Sequence, residues 1–163
     1  MENLKVLINK EEIKKREKEL AEAIEKEYKG KEVVFICILK GAVNFMVHLL
    51  ENVNIDVMYD FIDVSSYSGT ESTGQIILNK EITQIIEKKD IIIIEDIIDT
   101  GRTIKYLKEY LQNKKANSIK VCTLLDKKSR RVVNIQADYV GFEIEDKFVV
   151  GYGLDYNEKY RKR

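Results

Sequence analysis

The sequence predicts an α/β fold, a parallel sheet flanked by helices, and three observations carry that expectation. Short apolar runs rich in β-branched residues, at 33–39, 91–94 and 119–125, lack a polar face. Strands buried on both sides of a sheet read that way. Stretches with apolar residues at helical spacing fall between those runs. Strands alternating with helices imply parallel pairing through right-handed crossovers.

Each element has a local signal. Asn9 with Glu12 three positions later forms a capping-box pattern and opens a charged helix with Ile13, Leu20, Ile24 and Tyr28 on one face. Gly30 ends it, residues 33–39 follow as a strand, and 42–53 read as a helix. Val57, Tyr59, Phe61 and Val64 mark a half-buried strand. Residues 65–74 are the one Gly/Ser/Thr-rich stretch, with no large residue but Tyr67 to anchor a core, and so read as a mobile loop. Residues 75–79 read as a short strand, 82–86 fit no pattern, and the four isoleucines at 91–94 read as the central strand. A helix is expected over 103–114 and a buried strand over 119–125, with further strands at 132–135, 139–144 and 148–150. Neither an internal repeat nor a linker interrupts the pattern, so 1–163 reads as one domain, long enough to bury a sizeable core.

Composition narrows the function classes. Basic and acidic residues number 28 each, so the net charge of zero gives no pull toward nucleic acid or anionic lipid. The longest apolar stretch falls far short of the roughly 20 residues that span a bilayer. Its start, Met-Glu-Asn-Leu-Lys, has no signal-peptide core, and a cytoplasmic location is expected. Cys37 and Cys122 lie in apolar runs and read as buried thiols acting as small hydrophobes, with a disulfide as the alternative. His48, the only histidine, reads as structural. The chain has no proline, against a usual share of about 5%. Genome composition and deliberate removal both fit that absence.

Chemistry gathers at 91–103, Ile-Ile-Ile-Ile-Glu-Asp-Ile-Ile-Asp-Thr-Gly-Arg-Thr. An apolar strand ends in carboxylates, a short polar loop follows, and Ile104, Leu107, Tyr110 and Leu111 begin an amphipathic stretch. Backbone N–H groups and the positive dipole end of a helix make such a loop an anion site. The acids beside it suit a divalent cation or ribose hydroxyls. They fall at the carboxyl end of a strand, where parallel sheets bind ligands. Neither a Walker Gly-x-x-x-x-Gly-Lys-Ser/Thr nor a Gly-x-Gly-x-x-Gly is present, which argues against nucleoside triphosphates and dinucleotides. The plainer alternative, a helix cap supplied by Thr100, leaves the acids without a role.

This loop resembles the phosphoribosyl pyrophosphate motif of type I phosphoribosyltransferases. Leu39-Lys40-Gly41-Ala42, Ser65-Ser66-Tyr67, Leu124-Leu125-Asp126-Lys127, Asp138-Tyr139-Val140-Gly141-Phe142-Glu143 and the closing run from Lys147 to Arg161 stand in the order expected of the hypoxanthine(-guanine) phosphoribosyltransferases. The resemblance spans residues 6–161 and implies that family's sheet and small hood. The core would lie at about 30–135 and the hood in the N-terminal and C-terminal segments. It implies purine salvage, in which a 5-phosphoribosyl group passes from phosphoribosyl pyrophosphate to hypoxanthine, and also guanine. The products would be IMP or GMP and pyrophosphate, with Mg²⁺ as cofactor and a homodimer or homotetramer as the assembly.

Site residues follow from the same resemblance. Thr100, Gly101, Arg102 and Thr103 would hold the 5′-phosphate. Glu95 and Asp96 would grip the ribose hydroxyls and organise Mg²⁺, with Asp155 as direct metal ligand. Asp99 would stand near the purine N7 as acid or base, and Lys127 would donate to the 6-oxo group. Phe148 would stack on the base while the backbone of Val149 reads its 2-position edge. Lys40, Gly41 and Arg161 would contact pyrophosphate, and the Leu39–Lys40 peptide can be cis in this family. Ser66 and Tyr67 would ride a closing loop. Plainer readings stand beside these: solvated strand-end acids, a solvated basic face at 127–131, and a core phenylalanine. Asn44 and Lys128 stand near places where relatives commonly carry proline, and the chain stops at Lys162-Arg163 where relatives continue into a Leu-Pro-bearing strand. A hood shortened at its C-terminus is therefore expected. Two rivals remain: a ligand-sensing regulator of the same fold, which would need a basic nucleic-acid face, and a truncated or proline-stripped variant with weak turnover.

Overall fold

Strands β1 (Val33–Leu39), β2 (Val57–Ser66), β3 (Ile76–Lys80), β4 (Asp90–Ile98), β5 (Ser118–Asp126) and β6 (Tyr139–Glu143) form one sheet in the order β3-β2-β1-β4-β5-β6. Helices α1 (Lys10–Tyr28), α2 (Val43–Asn52) and α3 (Arg102–Asn113) cover it. This is a computed structural model and describes residues 8–66 and 75–145. Tyr67, Phe148, Val149, Asp155 and Arg161 lie outside the described residues, as does the strand expected at 148–150.

Alternation explains why the central strands have no polar face. Val33, Phe35 and Cys37 of β1 with Ile92 and Ile94 of β4 join Leu20, Ile24, Phe45 and Leu49 of α1 and α2 in one core. Val34, Ile36 and Ile38 with Ile91 and Ile93 point the other way, onto Ile104, Leu107 and Leu111 of α3. A one-residue slip of β4 would therefore expose no hydrophobe, so its ends must set the register. At one end Asp90 accepts from Ser118 Oγ at 2.6 Å and Asn117 Nδ2 at 2.7 Å. At the other, a slip would carry the carboxylates of Glu95 and Asp96 deeper among the isoleucines, at a desolvation cost.

Cys37 pairs with Ile94 and Ile94 with Cys122, which puts two strand spacings between the thiols. At about 4.8 Å per spacing, that exceeds the roughly 7 Å Cα limit for a disulfide. Both cysteines are free and buried. Burial, helped by the charges of Glu95 and Asp96, pushes the Cys37 thiol up to about 12, which leaves it inert.

Two expectations change. All pairings are parallel except β2 with β3, which is antiparallel. The connection, residues 67–75, is shorter than the dozen or so residues a parallel crossover needs. Residues 132–135 are not a strand. Val132 N donates to Thr100 O at 3.0 Å and Ile135 N to Val133 O at 2.9 Å, so these donors serve a loop contact and a tight turn. The hydrophobic core also draws on α1. Four residues of α1 are in it, and Arg16 of α1 donates to the edge-strand carbonyls of Val140 and Gly141 at 2.7 and 2.8 Å. The capping box at Asn9 and Glu12 is present.

Residues 81–89, which include the unassigned 82–86, form neither helix nor strand and are held by Asp60 of β2. Its buried carboxylate accepts from Phe61 N (2.7 Å), Thr83 N (2.7 Å) and Gln84 N (2.9 Å). Ile82 and Ile86 are thereby seated under α3. Burial raises the proton affinity of Asp60, but these backbone donors outweigh it and hold the carboxyl below its ordinary value. A depressed folded pKa gives stability that is complete above the unfolded value, about 3.9, and lost as pH falls through the folded one. Asp60→Ala, which strands several buried donors, should cost about 3 kcal/mol at pH 7. Urea denaturation at pH 7 and again near pH 3 checks this: the gap between the two proteins should narrow in acid.

Candidate functional site

The carboxyl ends of β1, β4 and β5 bring the site together. On β4 the Glu95 side chain is buried and accepts from Asp96 N at 3.0 Å, while Asp96 Oδ1 accepts from Ile97 N at 2.7 Å. Burial, then the adjacent negative charge of Asp96, pushes the Glu95 carboxyl well above its ordinary value. A bound cation or hydroxyl donors would relieve that pair. Among the described residues no cluster of three or more His, Cys, Asp or Glu could hold a metal. Asp155, the third acid expected there, lies outside them.

The loop after β1 presses on these acids. Its Leu39–Lys40 peptide is cis. A Cβ on Gly41 would lie 1.9 Å from Asp96 Oδ2 and 2.8 Å from Asp96 Cγ, so no other residue fits without displacing the carboxylate.

The loop after β4 opens α3 in an unusual way. Gly101 is the N-cap at φ +89°, a conformation that costs L-residues about 1 kcal/mol or more, and no side chain caps the helix. Thr100 Oγ1 accepts only a long 3.4 Å contact from Arg102 N. The ordinary cap proposed for Thr100 is therefore absent, and the first turn of α3 keeps its capacity to bind an anion. A Cβ on Gly101 would also meet Arg131 Cδ at 2.9 Å and Val133 Cγ2 at 3.1 Å. This loop and the one after β5 are in direct contact.

The basic run 127–131 is a solvated face only at its middle: Lys128, Ser129 and Arg130 are exposed, while Lys127 and Arg131 at its ends are not. Lys127 is 7% exposed, and its N–H donates to Ile98 O at 3.0 Å, bringing the ends of β4 and β5 together. Arg131 is also largely buried. It donates to Asp126 Oδ1 at 2.5 Å, Asp99 O at 2.9 Å and Ile135 O at 2.9 Å. Arg130 Nε reaches the half-exposed Asp99 carboxylate at 3.0 Å. Sequence reasoning gave neither Asp126, although it lies in a quoted motif, nor Arg131 a role of its own. The available signal was a carboxylate ending an apolar run, the same signal that marks Glu95.

Ser65 and Ser66 are the last residues of β2 and pair with Ile77 and Ile76, so neither belongs to the loop expected over 65–74. His48 Nδ1 lies 3.3 Å from the buried Glu17 carboxylate of α1, in keeping with a structural role. Among the described residues no helix is long and apolar enough to cross a membrane.

Comparison with known proteins agrees with this geometry. A family model for the phosphoribosyl transferase domain matches residues 5–157. The chain is 50% identical over 157 residues to a hypoxanthine-guanine phosphoribosyltransferase of Staphylococcus aureus, covering 96% of this chain and 88% of that one. It is 47% identical over 158 residues to the enzyme of the same name from Streptococcus thermophilus, with the same coverage. A crystal structure of a hypoxanthine-guanine phosphoribosyltransferase from Bacillus anthracis, with HEPES in its active site, superposes with a TM-score of 0.94. Identity to that protein is 46%, and the match covers 98% of this chain and 95% of the other.

Proposed function

The chain belongs to the phosphoribosyl transferase family, and from that premise we propose that it is a purine-salvage enzyme. It transfers the 5-phosphoribosyl group of phosphoribosyl pyrophosphate to hypoxanthine and guanine, giving IMP or GMP and pyrophosphate. The observation that carries this reading is a convergence at the carboxyl ends of β4 and β5: the uncapped start of α3, the Glu95–Asp96 pair and the buried Lys127. An anion, a polyol and an oxo-purine need those three in turn.

In the reaction the glycosidic carbon becomes cation-like while pyrophosphate gains charge, so positioning and fixed electrostatics do the work. Thr100 to Thr103 and the N–H groups of α3 hold the 5′-phosphate. Glu95 and Asp96 orient the ribose hydroxyls, and their negative charge faces the developing cation. Asp99 takes or returns the proton at N7, and Lys127 donates to the 6-oxo group. Lys40 and Gly41 hold pyrophosphate. Beyond the described residues the family pattern assigns Tyr67 to the closing loop, Phe148 and Val149 to the base, Asp155 to the metal and Arg161 to pyrophosphate. Oxygen donors such as Glu95 and Asp96 suit Mg²⁺, which when bound neutralises charge on the pyrophosphate. The enzyme is read as a cytoplasmic homodimer or homotetramer. The neutral net charge gives the nucleic-acid-binding alternative no support.

A spectrophotometric assay of hypoxanthine, guanine, xanthine and adenine with phosphoribosyl pyrophosphate and Mg²⁺ tests the reading. Turnover of the first two is expected, and no product from any base would overturn it. The 1.9 Å approach of a Gly41 Cβ to Asp96 adds a sharper check. Gly41→Ala must move either the loop or the ribose-binding acid, so KM for phosphoribosyl pyrophosphate should rise at least tenfold, about 1.4 kcal/mol. Thermal stability measured alongside would separate this from misfolding.

A further inference from the structure

We propose that the buried Asp126–Arg131 pair is a clamp that positions Asp99 for proton transfer, so that Asp126 and Arg131 are positioning residues of the reaction. The proposal rests on the reading of Asp99 as the acid/base group.

The guanidinium of Arg131 sits where three segments meet. One arm is anchored by Asp126, whose side chain is 1% exposed, at 2.5 Å. A second arm donates to the carbonyl of Asp99 itself at 2.9 Å, and the third N–H donates to Ile135 O at 2.9 Å. The aliphatic part of the same side chain lies under Gly101, where a Cβ would meet Arg131 Cδ at 2.9 Å. Val132 N then donates to Thr100 O at 3.0 Å. The Asp99 carbonyl is thus tied to the planar guanidinium, and the Thr100 carbonyl to the backbone of the next residue, Val132. Lysine cannot reproduce this, because its ammonium is a point donor without fixed geometry.

Stability alone is a poor explanation for the pair. Taking a guanidinium and a carboxylate out of water costs as much as their attraction returns, and apolar residues of similar volume often serve as well or better. What the ionic version supplies is direction: two anchored donors leave the third aimed at one carbonyl. A general acid/base group depends on such placement, since a displacement of about 1 Å can cost 10²-fold in rate.

Kinetics in two backgrounds decide the matter. Arg131→Lys should lower kcat by about 10²-fold in the otherwise native enzyme. In an Asp99→Asn background it should produce no further fall, because both changes remove the same contribution. An equal fall in both backgrounds, or unchanged kcat in the native one, overturns the clamp. Should Asp99→Asn alone keep full kcat, the acid/base reading has failed before Arg131 is touched, and the clamp falls with it. Asp126→Leu/Arg131→Met separates positioning from folding. That double variant should regain the melting temperature lost in Arg131→Met while kcat stays low. Recovery of kcat together with stability would make the pair merely structural and overturn the proposal.

Discussion

Replacing Asp99 by asparagine should lower kcat by about 10²–10⁴-fold, roughly 3–5 kcal/mol of barrier, while phosphoribosyl pyrophosphate still binds. The substitution keeps size and hydrogen bonding and removes only the ionisable group. The loop should hold its shape, because its anchors are main-chain: Arg131 reaches the Asp99 carbonyl and Val132 N reaches the Thr100 carbonyl. The bond from Arg130 can pass to the amide oxygen, at the loss of a half-exposed ion pair worth about 1 kcal/mol or less. Loss of binding is therefore not expected to mimic loss of catalysis. Glu95→Gln with Asp96→Asn should behave differently, raising KM for phosphoribosyl pyrophosphate because the proposed mechanism sets those acids against the ribose. If Asp99→Asn kept full kcat across the pH range, the carboxylate would be a loop residue and the mechanism wrong at its centre.

The contrast between main-chain anchors and side-chain chemistry also explains what the sequence could reveal. Helix α1 was legible because its capping box is local, with Asn9 and Glu12 satisfying each other's backbone donors within one turn. Strands β1 and β4 were legible because burial on both faces leaves no polar position to disguise them. The acids and the Thr-Gly-Arg-Thr loop stand out because they break that apolar pattern at the end of β4. The run 132–135 was misleading: it has strand-like composition, yet its donors are taken by Thr100 and by its own turn. Composition carries no record of where hydrogen bonds go. The antiparallel β3 was hidden for a related reason, since the apolar pattern of a short edge strand does not encode direction. Charge was the other blind spot. Lys127 and Arg131 sit in a run that reads as solvated, and only the meeting of β4, β5 and Asp126 buries them.

That burial makes Lys127 the residue on which base choice should turn. At 7% exposure Lys127 follows directly on β5, and the bond from its backbone N–H to Ile98 O fixes its main chain there. A hypoxanthine or guanine 6-oxo group offers it an acceptor. Adenine offers an amino donor in the same place, so two donors would face each other in a site with little water to compensate. Sites built around a buried hydrogen bond reject analogues lacking the partner by about 10⁴–10⁵-fold. The native protein should therefore favour hypoxanthine over adenine in kcat/KM by about that ratio. Lys127→Ala should collapse most of it by raising KM for hypoxanthine, with KM for phosphoribosyl pyrophosphate little changed because the α3 loop and the Glu95–Asp96 pair are untouched. Steady-state kinetics with both bases, each at saturating phosphoribosyl pyrophosphate, measure the ratio directly. An undiminished preference in the variant would mean that the buried Lys127 serves the fold and that base selection lies elsewhere.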